Sequence, residues 1–574
     1  MGEPLTIFQQ YLIRRGALFT ERSSWMTQWR EISQYLMPRT GRFLLTGQNK
    51  GDKRYNSILD STGRRALRVL AAGLMAGMTS PARPWFRLAT GDRDLMEYGP
   101  VKLWLNLVTE KMRDVFSRSN TYRSLHTVYE ELGAYGTAAD VVLEDFDDVL
   151  RHYPTTCGEY MIATDHRGEV VSLYREFQMT VAAMVGEFGI DRVSPHVKSM
   201  YENGRNLDAW VSVMHVIEPR ADRDPRSKLA KDLPFTSNYM ELQGNPQRNE
   251  FLRESGFKRF PALCPRWHAT GGDIYGNSPG METLGDVKQL QHGQMRKAQA
   301  IDYKVKPPLQ IPTSMKNMPL STLPGGTMFV DQTQPHNGIR TAFDVDLDIA
   351  AQLEDIRDVR DRINRTFYVD LFLMLAQADQ GAPITAREVA ERHEEKLLML
   401  GPVLERLHNE LLKPYIDIAF DRMLESGIVP PPPEELHGMD LNVEFVSMLA
   451  QAQRAIGVQS VDRLVNTVGT IATFQRNAGQ APTALDNLEI DKIVDAYAEM
   501  LGVDPNLITP SEKLAIVRKD RADAQAAAQK AAALQQGAEA AQKLGNTPTS
   551  GQNALTDVIS QFSGYGGPGV AVAA

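Results

Sequence analysis

Between Asp344 and Asp361 the chain sets seven carboxylates, Asp344, Asp346, Asp348, Glu354, Asp355, Asp358 and Asp361, a density that could hold two divalent cations for phosphodiester hydrolysis. Arg357, Arg360, Arg362 and Arg365 alternate with them at three- and four-residue offsets. Opposite charges at those offsets neutralise each other on one helix, so the preferred reading is an ion-paired helix face, solvated or set against a neighbouring subunit. The segment Thr270–Gly280, TGGDIYGNSPG, has the glycine content of a phosphate-cradling loop. A P-loop also needs the lysine of GxxxxGK[ST], and the dipeptide Gly-Lys occurs nowhere in the chain. The segment therefore reads as a tight connection ahead of a helix. His393 in ERHEEK lacks a second histidine four residues on, which removes the zinc-protease pattern and leaves a surface histidine. Cys157 and Cys264 form no CxxC, so neither a zinc site nor a disulfide framework is expected. No serine or cysteine nucleophile stands beside a base that the sequence identifies. The expectation is a protein with no catalytic constellation, no metal and no cofactor, and hence not an enzyme.

The elements that must position any site follow from hydrophobic period. Helical spacing runs through Thr6–Met37 and ends at Pro38; a polar loop, Gly41–Gly51, separates it from a helix at Gly63–Met78 with cap residues Asp60, Ser61 and Thr62. Two amphipathic helices follow at Leu103–Phe116 and Tyr122–Ala134, then short strands at Ala138–Glu144, Gly158–Thr164 and Glu169–Tyr174. Phe177–Asn203 returns to helical spacing, and strands are expected at Ala209–Glu218 and Thr236–Gln243 within a small β-rich unit. A long helix, Met281–Tyr303, carries its apolar stripe on Met281, Leu284, Val287, Leu290, Ala298 and Ile301. Lys288, Arg296 and Lys297 lie off that stripe and Lys304 follows it, an ordinary polar side when taken alone. Strand-like pieces at Leu309–Pro312 and Thr327–Asp331, a polar loop at Gln332–Thr341 and helices at Asp346–Ala376, Ala386–Glu425, Leu441–Thr473 and Asp491–Leu501 complete the body. Ser511–Leu544 holds twelve alanines between Ala515 and Ala541, and Gly545–Ala574 has no periodicity and is expected to be flexible.

With 574 residues, 42% hydrophobic and 23% charged, the chain has the balance of a folded protein of several packed regions. Its N-terminus lacks the pattern of a signal peptide, and the best apolar run, Leu67–Gly77, is too short to span a membrane, which needs about 20 residues. The net charge of −8 has the wrong sign for a protein that grips DNA by neutralising phosphates.

Four blocks together resemble the head-to-tail connector (portal) family of short-tailed double-stranded DNA bacteriophages. They are Arg54–Leu88 (RYNSILDSTGRRALRVLAAGLMAGMTSPARPWFRL), Phe260–Pro312 (beginning FPALCPRWHATGGDIYGNSPGMETL), Leu323–Asp331 (LPGGTMFVD) and Ile384–Ile416 (beginning ITAREVAERHEEKLLML). The resemblance covers roughly residues 5 to 430, with the second block the most specific.

It implies an α+β, mainly helical portal fold with an α/β wing, a two-helix stem, a small β-rich clip, a helical crown and a C-terminal helical barrel. On that plan residues 1–180 are wing, 181–204 the first stem helix, 205–275 the clip and 276–304 the second stem helix. Residues 305–345 return to the wing and carry the tunnel loop, 346–384 form the tunnel helix, 385–510 the crown, 511–545 the barrel and 546–574 a flexible tail. The implied assembly is a homo-oligomer, a ring of twelve, at one capsid vertex of the virion, built in the host cytoplasm. Its implied partners are the major capsid and scaffolding proteins, the terminase large subunit, the tail adaptor and tail proteins, and double-stranded DNA passing without sequence readout, with no membrane. Twelve copies at −8 would carry about −96, so a mostly acidic wall would let DNA slide. Lys288, Arg296, Lys297, Lys304, Gln332, Gln334, His336, Asn337 and Arg340 are the candidate channel-lining residues, a few basic rings steadying the duplex through phosphates alone. A different virion tail or internal ejection protein, and a metal-dependent nuclease using the acidic run, are the rival readings.

Overall fold

The computed structural model describes residues 5–43, 55–92, 95–96, 98–227, 229–243, 250–306, 308–310, 340–341, 349–373, 399–439, 441–447, 449, 467–477, 514 and 517–532. They fall into two units, Met1–Gly502 and Val503–Ala574. In the first, helices α1 (Ile7–Tyr35), α2 (Thr62–Met78), α3 (Gly99–Arg118) and α4 (Thr121–Tyr135) build the core. Helix α1 begins at a capping box in which the Thr6 hydroxyl accepts from Gln9 N–H and the Gln9 side chain accepts from Thr6 N–H. Its second half sends Met26, Trp29 and Ile32 into the main core beside Leu67, Leu70 and Leu74 of α2, Leu105, Val108 and Met112 of α3, and Leu125 and Leu132 of α4. The Trp29 indole donates to Tyr135 O at 3.2 Å, satisfying its buried N–H.

Twelve strands are described: β1 (Phe86–Thr90), β2 (Ala139–Asp145), β3 (Val149–Thr155), β4 (Tyr160–Thr164), β5 (Val170–Thr180), β6 (Trp210–Ile217), β7 (Phe235–Glu241), β8 (Arg253–Phe257), β9 (Ala262–Leu263), β10 (Leu309–Gln310), β11 (Arg340–Thr341) and β12 (Leu441–Phe445). They pair as β1-β12, β10-β11, β3-β2-β9 and β4-β5-β6-β7-β8. The five-stranded sheet is antiparallel, and one face, with Met161, Tyr174, Met214, Val216 and Met240, is covered by Phe8, Tyr11 and Leu18 from the first half of α1.

Several expectations are corrected. Phe177 lies in β5, not in a helix, and the span 181–203 is two eight-residue helices, α5 (Val181–Phe188) and α6 (Pro195–Glu202). Gly189 ends α5 at φ +87°, a conformation that suits glycine, and Pro195 opens α6. Residues 205–275 do not stand as a separate β unit: β6, β7 and β8 complete the sheet begun by β4 and β5, and β9 joins β2 instead. Leu441–Phe445, expected as helix, alternates with period two and pairs with β1 across Phe86↔Phe445 to Thr90↔Leu441. Strand β3, which the sequence reading passed over, pairs with β2 from Ala139↔Thr155 to Asp145↔Val149.

Further helices are α7 (Pro279–Glu282), α8 (Leu284–Val305), α9 (Ile349–Thr366) and α10 (Lys413–Glu425). The expected helix Asp346–Ala376 bends where Tyr368 adopts φ +54°, with helix resuming at 369–373. Helix also covers 399–407 and runs through a π turn, His408–Leu412, into α10. The expected strand Thr327–Asp331, His393, the helix Asp491–Leu501 and the tail 546–574 lie outside the described residues. In the second unit, residues 517–532 are helical, inside the Ala-rich segment.

Candidate functional site: a rooted helical hairpin

Helix α8 leads into β10, and β11 leads toward α9; the two short strands pair antiparallel, Leu309↔Thr341 and Gln310↔Arg340. The helices pack side by side in opposite directions. Arg362 near the end of α9 reaches Asp286 near the start of α8 at 3.1 Å, and Gly293, midway along α8, faces Ile356 midway along α9. The result is an antiparallel helical hairpin whose described ends are joined by the β10-β11 pair.

One end of the hairpin is locked into the core by polar groups. The Gln291 side chain, buried, accepts from Leu59 N–H at 2.6 Å and Asp60 N–H at 2.8 Å and donates to Asp60 O at 2.9 Å. Arg360 of α9 donates to Asp60 Oδ2 through Nη2 at 2.7 Å and Nε at 3.0 Å, and Gln294 adds a third bond at 2.9 Å. Asp60 Oδ1 meanwhile accepts from Thr62 N–H and Oγ1–H, satisfying the first free N–H of α2. Burial works to raise the Asp60 carboxyl, but the bonds from Thr62 and Arg360 outweigh it and hold the group below its ordinary value. One carboxylate thus ties α2, α8 and α9 together, and Val287 closes over Gly63 of α2.

The other end is different. Leu284, Val287, Leu290 and Gln291 are buried, but beyond Gln291 only Ala300 is, while Met295, Ile301, Tyr303 and Val305 are exposed. Of the candidate channel residues, Lys288 sits in the rooted half, paired with Glu31 of α1 at 2.8 Å and over the Tyr35 ring. Arg296, Lys297 and Lys304 lie in the distal half and form no ion pair among the described residues. Arg340 belongs to β11, and Gln332, Gln334, His336 and Asn337 lie outside the described residues.

The acidic run resolves in part. On α9, Asp358 pairs with Arg362 at 3.0 Å, while Arg360 and Arg362 leave the helix for Asp60 and Asp286. Asp344, Asp346 and Asp348 lie outside the described residues. Sequence reasoning missed Asp60, Gln291, Gln294 and Arg360 as a set, because their partners lie more than 200 residues apart and no local spacing joins them. The glycine-rich segment before α7 serves packing: Tyr275 is buried against Trp25 and Trp29, and Gly276 N–H donates to Thr137 Oγ1. An added Cβ on Gly276 would meet Gly136 O at 2.4 Å, so backbone approaches backbone there.

Comparison with known proteins agrees with the resemblance carried by the four sequence blocks. The chain matches the family of bacteriophage head to tail connecting proteins over residues 9–508, and it belongs to that family. It is 59% identical over 554 residues to a probable portal protein of Bordetella phage BPP-1, covering 96% of this chain and 98% of that one. It is 45% identical over 554 residues to the portal protein of Salmonella phage epsilon15, again covering 96% and 98%.

Proposed function

We propose that this chain is a phage portal subunit, copies of which close into a ring at one capsid vertex and leave an axial channel for DNA packaging and ejection. Membership of the head to tail connecting family supports the role. The observation that carries the geometry is the helical hairpin of α8 and α9, rooted at Asp60 and open toward residues 306–348.

We infer from it a changed division of the chain. On this division the two stem helices are α8 and α9, and the segment between them, 306–348, would supply the clip that meets the terminase large subunit and later the tail adaptor. Residues 205–275 then belong to the wing, since β6, β7 and β8 share a sheet with β4 and β5 and β9 pairs with β2, and 181–204 joins them as the link from β5 to β6. The major capsid and scaffolding proteins would surround the wing, the crown would lie within 385–510, and the Ala-rich helices of a ring of twelve would form a barrel. Arg296, Lys297 and Lys304, on the distal half of one stem helix, would be basic residues facing DNA, while Lys288, tied to Glu31, would serve the root. Phosphate contacts from such a ring steady a duplex without reading its bases. Motor ATPase activity would come from another polypeptide, as the sequence holds no P-loop.

The experiment is electron microscopy of the purified full chain, joined to a packaging assay. Rings with a duplex-sized hole are expected, and replacing 311–339 by a short Gly-Ser turn should keep the rings while abolishing packaging. A strictly monomeric protein would overturn the portal reading; normal packaging by the shortened chain would overturn the clip assignment.

A further inference from the structure

The five-stranded sheet has a second face, opposite α1, and one row of side chains crosses it in register. Tyr160 of β4 stands opposite Arg175 of β5, Arg175 opposite His215 of β6, His215 opposite Tyr239 of β7, and Tyr239 opposite Arg253 of β8. Cross-strand neighbours of this kind touch. His215, fully buried, stacks on Tyr239 at 3.8 Å between ring centres and shares a hydrogen bond with Ser237 Oγ. Arg253 lies over the Tyr239 and Phe188 rings and pairs with Glu187 at 2.7 Å, so its charge is answered.

Arg175 is not answered in the same way. Its guanidinium lies 4.6 Å from the Phe177 ring centre and 5.9 Å from that of Tyr153, and its Nε is buried with no hydrogen-bond partner. Among the described residues it makes no ion pair. Two carboxylates whose charge reaches it are bonded elsewhere, Glu159 to Arg42 and Asp140 to His152 at 2.6 Å and Ser124 at 3.0 Å. Burial weakens the hold of Arg175 on its proton, and burial together with the charges of Arg175 and Arg253 keeps His215 far below its ordinary value. Arg175 is half-buried, with its Nε sealed from water and no carboxylate bonded to it, so the rest of its planar fork is free to take a carboxylate with two parallel bonds. Arginine between a tyrosine and a phenylalanine is also the composition of an interface anchor.

We propose that Tyr153, Arg175 and Phe177 form a contact between neighbouring copies of this chain, in which Arg175 receives a carboxylate side chain from the adjacent subunit. This rests on the ring reading above. Charge favours a second copy as the occupant: the chain carries 71 acidic residues against 63 basic ones, so its surface offers more carboxylates than its own cations neutralise. A cyclic ring also requires heterologous contact, in which a group on one side of the subunit finds its partner on the other side of the next.

Two variants of the full-length protein test this. Arg175→Met keeps the length and apolar stem but removes the charge. Its rings should dissociate at lower NaCl concentration in mass photometry, with subunit affinity weakened at least tenfold. The monomer fraction of the same variant should melt at an equal or higher temperature than wild-type monomer, because a sealed Nε–H without a hydrogen-bond partner has gone. Arg175→Lys supplies an amine that a zero-length carbodiimide reagent can join to an adjacent carboxylate as an amide. Mass spectrometry should then find position 175 linked to an aspartate or glutamate of another subunit. Rings of Arg175→Met as salt-resistant as wild type, a lowered monomer melting temperature, or only intrachain links from position 175 would each overturn the inference and leave the portal reading standing. Failure of the wild-type chain to form any ring would instead overturn the portal reading.

Discussion

At the scale of single residues, Glu131 is a carboxylic acid placed where water cannot reach it. It lies on α4, inside the core, where its carboxyl accepts from Thr156 Oγ1–H at 2.7 Å and Cys157 N–H at 3.1 Å. Burial outweighs these bonds and pushes it up to about 8 from an ordinary 4.5. The folded protein thus holds the proton over a range where the unfolded chain releases it. Stability is therefore fullest below about pH 4.5, falls as pH rises, and levels off above about pH 8. At pH 7, 2.5 pH units above the unfolded value, the loss is roughly 3 kcal/mol. Glu131→Gln keeps the shape and removes the charge, so its melting temperature should stay flatter than wild type between pH 5 and 8, with the gap widest at the alkaline end. Parallel pH profiles of the two proteins would refute this. Glu410, in the π turn, holds Arg266 through three bonds, from Nη2 at 2.6 Å, backbone N–H at 2.9 Å and Nε at 3.3 Å. Arg266 is nearly buried, so Glu410→Ala should destabilise the chain by about 3 kcal/mol or more, read as a lower urea midpoint.

At the scale of elements, long helices were legible because apolar residues recur on one stripe: α1, α3, α4 and α8 fall within a few residues of expectation. Strands were legible only where alternation was clean. In β3, VLRHYPT, a buried histidine tied to Asp140 occupies a core position that reads as polar. In 181–203 the helical period is real, but Gly189 and Pro195 divide it. The Asp60 lock was not legible, since nothing local marks Asp60 and Arg360 as partners. Shared sheets make a prediction about deletion. Removing 205–265 takes away β6, β7, β8 and β9, stripping Met214, Val216 and Met240 from the layer under α1 and Ile217, Ala262 and Leu263 from the main core. That deletion should yield insoluble or molten protein, in contrast to the shortened 311–339 chain; a soluble, cooperatively melting product would show the sheet to be dispensable. Gly73 gives a finer test. A Cβ there would stand 2.1 Å from the Phe372 ring, so Gly73→Ala must displace the 369–373 helix and should cost about 1–3 kcal/mol despite alanine's better helix propensity.

At the scale of the whole molecule, a subunit built to assemble leaves groups that only assembly can satisfy. The helix at 517–532 is the clearest case, since its residues are exposed along that whole length. An isolated Ala-rich helix of 16 residues, about 24 Å long, is marginal in water, because helix formation rewards length and alanine buries little surface. Small side chains do let helices approach closely, so equivalent helices around a ring axis could bury against one another what none buries alone. This segment belongs to the second unit, whereas the hairpin of α8 and α9 and the sheet with Arg175 belong to the first. Truncation after Pro510 should therefore leave ring formation intact, as judged by mass photometry, while impairing DNA retention or ejection in reconstituted particles. Loss of rings on truncation would place the drive to assemble in the C-terminal segment. Fully infectious particles from the truncated chain would remove the barrel from the mechanism.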